Sequence, residues 1–164
     1  MRLAVSASIL SALLAATPAW AADCLQEEAF YSDADGVYEL RFEPVGSASA
    51  ATSNHFKVKV AKTDLVLDGI VMQSGEPVRP NGMIMNKCPE GDVTGDDIAA
   101  CTIWEGVIYS IGTDGKVDSL PAEGMAAATQ LLLPDFGPAI RSSSIWGKAT
   151  VAPFDVLALK GCKP

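Results

Sequence analysis

A chain of 164 residues with 49% hydrophobic and 20% charged side chains has room for one core and is too apolar to stay disordered by composition. Its 20 acidic against 12 basic residues leave a formal charge of −8. That balance argues against a nucleic-acid binder, which needs a basic footprint to displace counterions, and against docking on an anionic membrane.

Met1-Arg2 opens the chain with a positive charge, residues 3–16 form an uncharged, mostly apolar run, and Ala19-Trp20-Ala21 follows Pro18. Small residues at Ala19 and Ala21 fit the rule for signal-peptide cleavage. Residues 1–21 are therefore expected to be a cleaved export signal, cut between Ala21 and Ala22, and 22–164 a single exported domain. The apolar run is shorter than the ~20 residues of a membrane span, and no later segment reaches that length, so no transmembrane segment is expected in the mature chain. Asp23 stands before Cys24 where a lipoprotein would carry a small residue. Asn54, Asn81 and Asn86 begin no glycosylation sequon, and with the Ala-rich leader this points to the bacterial periplasm or to secretion.

The mature part holds four cysteines, an even number that in a small exported domain implies disulfides. The expected pairs are Cys88–Cys101, which closes a short loop, and Cys24–Cys162, which ties the chain ends together. A four-ligand zinc site is disfavoured, because no C-x-x-C occurs and His55 is the only histidine.

Strand patterns dominate the mature chain. Residues 29–31 and the alternating Tyr38, Leu40 and Phe42 form the arms of a hairpin across Asp33-Ala34-Asp35-Gly36. Residues 44–54 are small and polar, a loop. Phe56, Val58 and Val60 then alternate with Lys57, Lys59 and Ala61, and the lysines are expected to face Glu39 and Glu43 across an antiparallel pair. Residues 65–72 read as a buried strand with a bulge or as a tight hairpin at Asp68-Gly69, 74–82 as a loop, 83–85 as a short strand and 102–111 as a central strand. Gly112-Thr113-Asp114-Gly115 turns the chain back toward Val117. One segment changes period: Met125, Ala128, Leu131 and Leu132 share a helical face, Ser119 is a candidate N-cap and Pro134 a stop. One main helix over about 121–133 is therefore predicted, with no more than a short helical turn after Gly137-Pro138. Strands at 146–151 and 154–159, split by Pro153, complete the chain. The expected fold class is α+β and β-rich: a single domain with a curled or barrel-like, mainly antiparallel sheet, one main helix and two disulfides.

No constellation fixes a reaction. His55 lies on the solvent face at a strand start, no serine sits in G-x-S-x-G, and neither G-x-G-x-x-G nor a P-loop is present. Asp33-x-Asp35-Gly36 resembles part of a calcium loop but has Pro44 where the bidentate glutamate would stand, so an ordinary hairpin turn is the better reading. Met83 and Met85, with Met72 nearby, could form a thioether site for Cu(I); as residues filling gaps in a core they need no metal. The segment between Cys88 and Cys101 carries Glu90, Asp92, Asp96 and Asp97 and no base. A clamped acidic loop can steer a basic protein partner or, as a weaker possibility, hold calcium. The function expected is a non-catalytic binding role in the cell envelope, toward a basic protein partner or a small ligand. The alternative is a carboxylate-based hydrolase or a calcium-binding protein of the envelope.

Overall fold

The computed structural model describes residues 24–46, 51–92 and 94–163; the expected export signal and its cleavage site lie outside these residues. After a 3-10 turn at Gln26–Glu28 the chain runs through β1 (Ala29–Ser32), β2 (Tyr38–Glu43), β3 (Thr52–Val60), β4 (Val66–Ser74) and β5 (Arg79–Met85). Helix α1 (Gly95–Cys101) leads into β6 (Thr102–Val107), β7 (Tyr109–Ile111), β8 (Val117–Ser119) and β9 (Gln130–Leu132). Helix α2 (Phe136–Ser142) and β10 (Val156–Cys162) finish the fold. The strands form one ten-stranded antiparallel sheet in the order β6-β5-β4-β3-β2-β1-β10-β9-β7-β8. The sheet is curled into a half-barrel. Ile108 alone separates β6 from β7, so one run of chain supplies the strand at one end of this order and the strand next to last at the other.

Alternation builds the core. Tyr38, Leu40 and Phe42 from β2, Phe56 and Val58 from β3, Leu67 and Val71 from β4, and Ile84 from β5 all point inward and are fully buried. Their rings meet in tilted and edge-on pairs: Phe42 lies 5.5 Å from Phe56 and 5.9 Å from Tyr31. Phe136 of α2 is buried with them, edge-on to Tyr38 at 5.7 Å and to Trp104 at 6.3 Å. These side chains belong to one continuous buried core.

The predicted helix over about 121–133 does not form. The backbone of this stretch is claimed by other parts of the chain: Gln26 N–H donates to the Met125 carbonyl and Ala127 N–H to the Cys24 carbonyl, both at 2.9 Å. Gln26 Oε1 accepts from Ala128 N–H at 3.1 Å, and residues 130–132 are taken into β9 between β7 and β10. Met125, expected on the buried face, is 58% exposed. The helical spacing of its apolar residues is real, but the disulfide-tied N-terminal segment and the sheet offer these backbone groups partners outside a helix. Ser119, the expected N-cap, pairs with Tyr109 in the β7–β8 hairpin. The helix forms instead at Phe136–Ser142, where Pro138 sits in the first turn and its missing N–H costs nothing.

Other differences are smaller. The loop expected at 74–82 is a tight turn, because β5 already begins at Arg79. The central strand expected at 102–111 is divided at Ile108 into β6 and β7. Residues 146–151 make turns and one isolated bridge rather than a strand. Glu39 faces Lys59 as expected, whereas Glu43 faces His55 and Lys57 instead pairs with Asp68 on β4.

Candidate functional site

Both expected disulfides are present, with Cα–Cα distances of 5.8 Å for Cys24–Cys162 and 5.2 Å for Cys88–Cys101. The second closes the acidic segment at its base, where Asn86 N–H also donates to the Cys101 carbonyl at 2.9 Å. The segment is not a bare loop: its second half is α1. Thr94 is the N-cap and Asp97 its reciprocal partner. Thr94 Oγ1 accepts from Asp97 N–H at 3.3 Å, while Asp97 Oδ2 accepts from Thr94 N–H at 2.9 Å and from the Thr94 hydroxyl at 2.7 Å. The backbone hydrogen bond from Thr94, reinforced by its hydroxyl, holds the Asp97 carboxyl below its usual range. The signal for this helix was legible as T-x-x-D ahead of Ile98, a capping pattern.

The four acids therefore divide. Asp97 is spent on the cap. Glu90, Asp92 and Asp96 are exposed, and none takes part in an ion pair among the described residues. Among the described residues no three His, Cys, Asp or Glu side chains come together as a group able to hold a metal ion.

The remaining candidates lie elsewhere, on the sheet and its β1–β2 turn. Asp33 is buried, and its Oδ1 accepts from Tyr38 N–H at 2.8 Å, closing the β1–β2 turn. His55 is half-buried on the outer face, with Nδ1 3.6 Å from Glu43. Met72, Met83 and Met85 are half-buried at positions alternating with the core residues Val71 and Ile84. No helix among the described residues is long and apolar enough to cross a membrane. The chain matches no protein family, no curated protein and no solved structure.

Proposed function

We propose that the chain is an exported, non-catalytic binding protein of the cell envelope, and that its clamped acidic segment engages a basic protein partner. The observation that carries this reading is the pinned display of Glu90, Asp92 and Asp96. Their segment is tied by a disulfide and a capped helix, yet their carboxylates meet no cation within the described chain. Pinning lowers the ordering cost of association, and unneutralised like charges steer an oppositely charged partner. Two disulfides fit an oxidising compartment such as the periplasm.

The test is capture from periplasmic extract at low and high salt, with Glu90→Gln, Asp92→Asn and Asp96→Asn combined. Asp97 is left intact so that α1 keeps its cap. The triple variant should associate about tenfold more slowly with the captured partner at low salt, and the difference should shrink at high salt. An unchanged association rate, a calcium-dependent rise in melting temperature lost in the variant, or turnover of a glycan panel would sink the proposal.

A further inference from the structure

A second surface lies on residues that the acidic segment does not use. An open groove of about 770 Å³ runs between α2 and the chain entering β10, and its walls include Pro138, Arg141, Pro153, Phe154 and Val156. That size is within the range of pockets that take small ligands or a few side chains. Phe154 is 73% exposed, the most exposed large apolar side chain among the described residues.

The groove is held rigid from both sides. Gly137 packs so closely on the opposite strand entry that a Cβ there would lie 2.3 Å from the Pro153 carbonyl oxygen. The Asp155 carboxylate accepts from Asp135 N–H at 3.0 Å and from Phe136 N–H at 3.1 Å, which ties the other wall to the start of α2. Phe154 is thus presented between two pinned neighbours, with Pro153 limiting the backbone on one side. Presenting an apolar ring to water in a pre-ordered frame is the arrangement of a binding anchor.

Charge identifies the occupant. Asp155 contributes the groove's carboxylate, and both of its oxygens are engaged by the backbone amides of Asp135 and Phe136 at the start of α2. Arg141 contributes the groove's cation; it stands 5.5 Å from the centre of the Trp146 ring and joins no ion pair among the described residues. An apolar wall beside one unneutralised guanidinium fits a chain that offers apolar side chains and a carboxylate. The surface is concave and carries a single guanidinium in a molecule of net charge −8, whereas a lipid-binding surface gathers several cations. We infer that this groove binds an extended peptide segment of a partner protein, with an acidic side chain set among apolar ones.

The experiment selects phage-displayed random dodecapeptides on the full exported chain, counter-selecting on Phe154→Ser. Both Phe154 and Arg141 are exposed, so their variants should melt with the parent chain. Enriched peptides should carry Asp or Glu next to apolar residues, and a synthetic copy should shift the amide NMR signals of residues 137–141 and 152–156. Phe154→Ser should weaken that peptide about tenfold and Arg141→Gln about fivefold. The Glu90/Asp92/Asp96 triple variant should bind it like the parent, so the fate of this proposal is separate from that of the acidic segment. Failure to enrich, enrichment of peptides without acidic residues, or shifts at other residues would overturn it. So would Phe154-dependent flotation on phosphatidylcholine–phosphatidylglycerol vesicles, which would make the groove a membrane contact.

Discussion

Gly69 sits inside β4 opposite Phe56, and the aromatic ring lies over the space a side chain would fill: a Cβ at 69 would approach Phe56 Cε2 to 2.1 Å. The missing side chain lets β4 run straight through a sequence that also resembled a turn. Gly69→Ala should therefore cost about 1–3 kcal/mol through overpacking, read as a lower urea midpoint with unchanged slope. Tyr38 makes a second residue-scale prediction. Burial, aided by the negative charge of Asp33, pushes its hydroxyl pKa up to about 12, and the hydroxyl donates to the Val151 carbonyl at 2.6 Å. A group whose pKa is raised by folding favours the fold below its unfolded value and loses that contribution as pH rises through the folded one. Stability should fall from about pH 10 toward 12, the tyrosine range. Tyr38→Phe should flatten this alkaline decline in melts recorded across that range, though the buried Tyr31, also shifted upward by burial, will keep part of it.

At the scale of elements, α1 is the clearest case of a structure held by few interactions. It has seven residues, too few to be stable alone, and among them only Cys101 is buried. The Thr94–Asp97 box and the Cys88–Cys101 bond must hold it. Thr94→Ala should cost about 1 kcal/mol and raise amide exchange in 95–101 selectively, leaving the sheet protected. The Asp97 shift runs opposite to that of Tyr38. Its carboxyl pKa is lowered by folding, so its contribution is present above the ordinary carboxylate range and lost as pH falls through the folded value. Amide exchange in α1 should accordingly quicken on acidification before the sheet responds. The helix predicted at 121–133 teaches the complementary lesson. Periodicity describes a face, but the backbone groups of Met125, Ala127 and Ala128 found partners in residues 24–26. A local pattern yields when long-range hydrogen bonds and a sheet edge compete for the same stretch.

For the whole molecule, the two disulfides act on different things. Cys24–Cys162 spans 138 positions and, in the chain-entropy model, removes about 5 kcal/mol of unfolded-state freedom; Cys88–Cys101 spans 13 and removes about 3. The long bond also holds the N-terminal segment that satisfies residues 125–128. Replacing Cys24 and Cys162 by Ser should lower the melting temperature of the entire sheet, while replacing Cys88 and Cys101 should loosen α1 first. Calorimetry paired with residue-resolved exchange separates the two results.

The sequence alone determined the β-rich class, the inward sets of β2 and β3 and the acidic segment, because each rests on local chemistry: alternation, turn residues and charge; the even cysteine count implied disulfides, but of three possible pairings the tertiary structure decided which one forms. Only the tertiary structure decided that 121–133 forms turns, a bridge and β9 rather than a helix, that residues 102–111 divide at Ile108 into strands near opposite ends of the sheet, and that Asp97 caps a helix while Glu90, Asp92 and Asp96 face solvent. It alone brought Arg141 and Phe154 into one groove. Those outcomes depend on which distant groups reach a given backbone N–H or face a given side chain, and such partners are chosen by the folded chain as a whole.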